Sequence, residues 1–246
     1  MADKRAYRLV FEDGSQAKAR LLLGADHAGR WRALREKIGE RPFLSSVFLQ
    51  IESTVLEEWV PGEVLPQKNP PADLLREAGA VLARIHKTDV PELKVEDAEP
   101  EVSRCGEWLS ELARVSAIDA ESTRLLKLRI RREAPARTSM GVAHQDFCGE
   151  NLVLHPLRGV VSIDNEWMRI GSLDFDVARA VRQWGLNEIG RRNFLAGYSE
   201  EGGPVDFSSV DFWLLANDIF ASEVRARRGW SDAPATVRHL LTWIRQ

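Results

Sequence analysis

The run His144-Gln145-Asp146-Phe147-Cys148-Gly149-Glu150-Asn151 sets an aspartate and an asparagine five positions apart in a polar stretch. Residues 151–154 and 160–163 are short apolar runs on either side of His155-Pro156-Leu157-Arg158-Gly159, which reads as a hairpin. A hairpin returns its far end to its start, so Asp164, next after Ile163, should converge on Asp146 and Asn151. Two oxygen ligands and a further carboxylate suit magnesium–phosphate chemistry. Asn151 and Asp164 would hold the metal on the phosphates, while Asp146 would accept the proton of an attacking hydroxyl. His144, Asp146 and Asn151 by themselves would fit a loop whose side chains cap backbone groups. Asp164 across the hairpin and the segment Asp174-Phe175-Asp176 tip the balance toward a reaction site. Cys148 lacks an orienting third group for a thiol nucleophile and reads as a small buried residue.

The elements that must carry these groups fall into two parts. Residues 1–62 read as a small antiparallel sheet with one helix: strands at 7–11 and 17–23 around the turn Asp13-Gly14, a helix over 25–38, and strands at 43–51 and 55–60. Lys18 and Arg20 are two apart, so both point to one face of their strand and either could reach a phosphate. A compact ammonium favours Lys18. Pro61-Gly62, Pro66, Pro70 and Pro71 mark a connecting segment, and residues 63–246 read as mostly helical. Leu74, Leu75, Ala78, Leu82 and Ile85 recur at helical spacing, with Asp73 as the cap and Pro91 as the stop. Further helices are predicted over 102–115, 122–133, 176–184, 208–227 and 235–244, with the hairpin as the one β island among them. Asp211 and Asp218 share a face of the 208–227 helix and read as solvated, and the eight tryptophans, Trp167, Trp184 and Trp213 among them, read as core.

Composition narrows the function. Thirty-four Lys and Arg against 37 Asp and Glu give a formal charge of −3, with no concentrated basic field of the kind nucleic acid or anionic membrane would require. Two cysteines, Cys105 and Cys148, are too few for a disulfide scaffold and lack zinc spacing. No apolar run reaches the roughly 20 residues of a membrane span. These features point to the cytoplasm and to a small-molecule partner, and are silent on oligomeric state.

His-x-Asp-x-x-x-x-Asn, then a hairpin ending in Ile163-Asp164, then Gly171-Ser172-Leu173-Asp174-Phe175-Asp176-Val177-Ala178, resembles the catalytic core of the aminoglycoside phosphotransferase and choline kinase-like superfamily, relatives of protein kinases. Val55 to Glu63 resembles that family's hinge strand, Leu82-Ala83-Arg84-Ile85-His86 the helix that follows it, and Phe194-Leu195-Ala196-Gly197-Tyr198 a further recurring helix. The resemblance implies an α/β, two-lobed, protein-kinase-like fold with a reduced N-terminal sheet lobe and a helical C-terminal lobe. It implies ATP, or GTP, with Mg²⁺, and a small-molecule hydroxyl as acceptor. Asp146 would be the catalytic base and Asn151 and Asp164 the metal ligands. Lys18 or Arg20 would meet the phosphates, Glu58, Trp59 and Val60 the adenine, and His144, Glu166 and Asp176 would support the site. Only Met1 to Ala6 precede the first strand, too little for the family's first strand and phosphate-covering loop. The 25–38 helix has no glutamate where the family's lysine-pairing acid lies, Asp26 coming early and Glu36 late. A catalytically silent binding or regulatory relative is the alternative. A protein kinase proper is disfavoured because Asp164 continues Asn165-Glu166-Trp167 instead of Phe-Gly.

Overall fold

Around Asp13-Gly14 the chain makes the expected hairpin, β1 (Ala6–Val10) against β2 (Gln16–Leu21), with the Asp13 carboxylate accepting from the Ser15 N–H at 2.9 Å. A computed structural model describes residues 6–22, 24–90, 94–205 and 207–245. After α1 (Ala25–Ile38), β3 (Val47–Ile51) and β4 (Thr54–Glu58) complete an antiparallel sheet of order β1-β2-β4-β3. Strand alternation aims Val55 inward, where it meets Leu22, Ala28 and Trp31 in a small core of its own. The strands are shorter than the 43–51 and 55–60 runs, and Leu23 lies outside the described residues.

Gly62 holds φ at 141°, and a Cβ there would strike the main chain of Leu154, so only glycine lets the connecting segment lie against the hairpin. That approach lets β5 (Glu63–Val64) pair with β8 (Leu152–His155), itself paired with β9 (Gly159–Ser162). The two sheet systems are stitched together: the Ser45 N–H donates to the Ser162 carbonyl and the Ser162 N–H to the Phe43 carbonyl, both at 2.9 Å.

The helical part is α2 (Ala72–His86), α3 (Glu99–Arg114), α4 (Ala120–Glu133), α5 (Leu173–Trp184), α6 (Glu188–Glu200), α7 (Val210–Arg228) and α8 (Ala233–Thr242). Its principal core includes Leu82, Ile85, Leu109, Phe147, Phe194 and Leu215, all shut off from solvent. Full burial contributes about 1.5–3 kcal/mol for each large apolar side chain. α2 and α6 meet at glycines: a Cβ on Gly79 would overlap the Phe194 carbonyl, and one on Gly197 the Arg76 carbonyl.

Several sequence expectations are corrected. The hairpin is not the only β structure here, because β6 (Lys94–Asp97), β7 (Arg137–Ala143) and β10 (Arg169–Ser172) form a further antiparallel sheet of order β10-β7-β6. Pro71, not Asp73, occupies the cap position of α2, and Asp73 lies in the first turn. The helix ends at His86, and Pro91 lies outside the described residues. α5 begins at Leu173 because Ser172 caps it, accepting from the Phe175 N–H at 3.1 Å. Asp218 is not solvated: it is buried, paired with Arg182 at 2.6 Å and accepting from Trp243 Nε1 at 2.7 Å. Trp184 and Trp213 are core, whereas Trp167 is half-buried, its ring edge-on to His27 at 5.1 Å, and Trp59 and Trp230 are exposed. Among the described residues no helix is long and apolar enough to cross a membrane.

Candidate active site

The loop after β7 is set by Asp176. Its buried carboxylate accepts from the His144 N–H (2.6 Å) and the Gln145 N–H (2.7 Å), and His86 Nε2 lies 3.0 Å from it. Burial alone would raise its pKa, but the bond and charge of His86 and the backbone donors outweigh that and hold it below the usual range. His86 is fixed in turn by the Tyr198 hydroxyl at 2.7 Å, so α2 and α6 orient the group that shapes the loop. Gln145 adopts φ 67°, turning the chain toward Asp146.

His144 is wholly buried, and its desolvation pushes the imidazole pKa down. Nδ1 lies 3.2 Å from the Asp146 N–H, which must donate to it. The network therefore assigns the proton to Nε2, facing Ser162 Oγ at 2.8 Å and Asn165 Oδ1 at 3.1 Å. The neutral ring braces the loop against the hairpin.

Asp146 and Asn151 are brought into contact. Asn151 Nδ2 donates to the Asp146 carbonyl at 2.7 Å and to Asp146 Oδ2 at 3.0 Å. With Nδ2 so committed, Oδ1 is the atom left to ligate a metal. The Asn151 carbonyl accepts from the Ile163 N–H at 2.9 Å, which places Asp164 beside Asn151 across the hairpin. Gln183 on α5, which sequence reasoning passed over, donates to Asp146 Oδ1 at 2.5 Å. Its signal was only its position, seven residues beyond Asp176 on the same helix.

Asp164 takes φ 57°, ψ 44°, a left-handed conformation that aspartate tolerates better than most residues. Its Oδ1 pairs with Lys18 Nζ and lies 3.4 Å from Arg20 Nη1. Arg20 also pairs with Glu166 and, at 3.0 Å, with Glu57, and Lys18 Nζ lies 3.5 Å from Glu57. Burial would lower the Arg20 pKa, but Glu57, Glu166 and Asp164 raise it, so the guanidinium stays charged. The side chain of Arg20 is 6% exposed against 16% for Lys18. Arg20 is thus enclosed by three carboxylates, and Lys18 has the more open ammonium.

Glu57 is the acid missing from α1. Its strand neighbour Val55 faces the core, and period-two alternation carries Glu57 to the same inward face, opposite Lys18 in the β2–β4 register. α1 contributes Trp31 instead, whose Nε1 donates to the Asn165 carbonyl at 2.9 Å beneath the Arg20 guanidinium. A carboxylate inside an apolar strand was the overlooked signal.

At the chain segment between the two sheet systems, Glu58 is paired with Arg158 of the hairpin turn at 2.5 Å. The Trp59 ring is covered by Arg8 at 4.7 Å, and Val60 packs with Val153, Val161 and Ile163. Among the described residues the main-chain N–H and C=O of Trp59 and Val60 take no protein partner, next to that apolar floor. Cys148 is buried with its pKa pushed up to about 11 by burial, and Cys105 to about 12, so neither thiol is a nucleophile. Among the described residues no three His, Cys, Asp or Glu side chains form a metal cluster. The oxygen pair of Asn151 and Asp164 suits Mg²⁺, which takes one or two protein oxygens and completes its shell with phosphate and water.

A small β lobe bearing a lysine–glutamate pair, joined to a helical lobe bearing an Asp–Asn loop and a hairpin aspartate, defines a protein-kinase-like phosphotransferase fold. Residues 46–213 match the family model described as the phosphotransferase enzyme family, well over half of the chain, and the chain belongs to that family. Among solved structures it is similar to choline kinase LicA from Streptococcus pneumoniae (TM-score 0.74, 12% identity, covering 98% of this chain and 89% of that one). It is similar also to an ethanolamine kinase of Plasmodium vivax (TM-score 0.70, 12% identity, 98% and 78% covered). A third, amicoumacin kinase hAmiN in complex with AMP-PNP, Ca²⁺ and Ami, has a TM-score of 0.67 at 15% identity, with 99% and 86% covered. No curated protein matches the chain by sequence.

Proposed function

We propose that this protein transfers the γ-phosphoryl group of ATP, or of GTP, to a hydroxyl of a small molecule. The observation that carries the reading is the grip of Asn151 on Asp146 together with the Asn151–Ile163 main-chain bond, which gathers Asp146, Asn151 and Asp164. The nucleoside base would lie on Val60, Val153 and Val161 and bond the main chain at Trp59 and Val60, beside Glu58. Lys18 would meet the phosphates, and Arg20, enclosed by Glu57, Glu166 and Asp164, would hold Asp164 in place.

Mg²⁺, when bound through Asn151 Oδ1 and Asp164, neutralises charge on the phosphate oxygens. Asp146 accepts the acceptor's proton as the acceptor oxygen bonds to the γ-phosphorus. The bond from that phosphorus to the β–γ bridging oxygen breaks, and its electron pair leaves with ADP. His144, Glu166 and Asp176 act by holding the loop and the metal-side carboxylate. A cytoplasmic setting is part of this proposal, resting on a cysteine count too low for a disulfide scaffold.

Calorimetric titration of ATP, with and without Mg²⁺, tests this reading. Asp146→Asn should bind Mg–ATP like the parent and lose phosphoryl transfer, and Asp164→Ala should lose magnesium-dependent binding. Transfer that survives Asp146→Asn, or magnesium-independent binding in the parent, would overturn it and leave a silent nucleotide-binding relative.

A further inference from the structure

Two cations beside the catalytic loop make no ion pair at bonding distance with a carboxylate among the described residues. Arg179 on α5 donates from Nε to the Gln145 carbonyl at 2.5 Å, and its guanidinium carbon lies 5.0 Å from the centre of the Phe220 ring. Arg169, first residue of β10, donates from Nη2 to Gln145 Oε1 at 3.0 Å. Both therefore attach to the residue immediately before Asp146. The arginines around them are neutralised: Arg104 by Glu101 at 2.9 Å, Arg182 by Asp218 at 2.6 Å, and Arg225 by Asp232 at 2.9 Å.

The placement of Arg179 suits a ligand. Its Nε bond and the Phe220 ring fix the plane of the fork, while both Nη nitrogens take no protein partner among the described residues and the side chain is only half-buried. Gln183, one helical turn further on the same face of α5, donates to Asp146 Oδ1. Residues so spaced have Cβ atoms about 5–6 Å apart. A molecule whose hydroxyl reaches Asp146 would thus present a group a few bonds away to Arg179. Burial is the largest influence and lowers the pKa of Arg179; Asp146 and then Asp176 pull it up, and the like charges of Arg169 and Arg225 push it down by less. The two unpartnered Nη nitrogens form a fork that matches the paired oxygens of a carboxylate or phosphate.

We propose that Arg179, with Arg169 beside it, binds an oxyanion carried by the acceptor, so that the hydroxyl compound taken here is a small hydroxy acid or a short polyol phosphate, not a cationic alcohol. This rests on the phosphotransferase reading, and its test has an arm independent of turnover. Four matched three-carbon probes differ only in the end group: glycerate, glycerol 3-phosphate, glycerol and 3-amino-1,2-propanediol. Binding is read from the shift of the thermal unfolding midpoint at constant ionic strength, in the full chain and in Arg179→Gln, Arg179→Lys and Arg169→Gln. The two anions should bind about tenfold or more tightly than glycerol, and the amine more weakly than glycerol. Arg179→Gln should abolish the preference and Arg179→Lys keep part of it. Arg169→Gln, a surface change that keeps the loop anchored by Arg179, should reduce it. The two anionic arms separate carboxylate from phosphate recognition. Equal binding of glycerol and both anions, preference for the amine, or a preference untouched by the Arg179 and Arg169 substitutions would overturn the proposal. Loss of Mg–ATP binding in the parent would instead sink the phosphotransferase reading and leave this arm readable.

Discussion

Glu57 on β4 stands directly opposite Lys18 on β2 and bonds Arg20, two residues along, at 3.0 Å. One buried carboxylate from a neighbouring strand thereby serves both cations of β2, the pairing that the helix α1 does not supply. Because Arg20 also bonds Glu166 and approaches Asp164, the sheet lobe is tied electrostatically to the segment that carries Asp164.

Glu57→Gln keeps the volume but removes the charge that faces Arg20. Breaking a buried pair from one side costs about 3–5 kcal/mol. Glu166 and Asp164 still face the guanidinium, so the lower part of that range is expected in urea unfolding, together with weaker Mg–ATP binding. An unchanged unfolding midpoint would show that Glu57 is not the counter-charge.

Lys18 and Arg20 should separate cleanly. Lys18→Ala should raise the KM for ATP at least tenfold with little loss of stability, because its ammonium is the more open of the two. Arg20→Met should destabilise the fold by about 3 kcal/mol or more, leaving three carboxylates without their shared cation. The reverse pattern, measured by initial rates and by unfolding, would exchange their roles.

Gln183→Ala removes the donor to Asp146 Oδ1 and leaves the nucleotide side untouched. A roughly tenfold fall in kcat is expected with an unchanged dissociation constant for Mg–ATP, the mark of a positioning residue. A fall in nucleotide affinity of the same size would place its effect elsewhere.

Stability should decline as pH falls below about 6.5. His144 is held neutral by burial, so its folded pKa lies beneath the ordinary 6.5. Between those two values the unfolded chain binds a proton that the folded one does not, and acid favours unfolding by up to about 1.4 kcal/mol per pH unit for this group. His27, its pKa likewise lowered by burial, adds in the same direction. Asp176, depressed in the folded state, adds its own loss below about 3.8. The unfolding midpoint followed from pH 7.5 to 5 should fall less steeply in His144→Gln than in the parent. Parallel profiles would refute the assignment.

Much of this was legible in the chain itself. The helix Ala25–Ile38 matches its expectation residue for residue, because the turn chemistry at Gly24 and Gly39 bounds it locally. Both hairpins follow from apolar runs interrupted by turn residues. The sheet of β6, β7 and β10 escaped because Arg137–Ala143 and Arg169–Ser172 each contain a glycine and show no steady alternation. They become strands only by pairing with one another across the fold.

What the sequence determined alone was therefore the local: turns, helix spans, and the spacing that joins Asp146, Asn151 and Asp164 through one short hairpin. Tertiary structure decided the pairings between residues far apart in the chain. Arg20 meets Glu166 across 146 positions, Gln183 reaches Asp146 from a helix 37 residues on, and Arg179 donates to the Gln145 carbonyl from a position 34 residues away. The physical reason is that backbone preference and periodicity act over a few residues. Which buried charge finds which partner depends on how the lobes pack, and that packing gathers groups from every part of the chain.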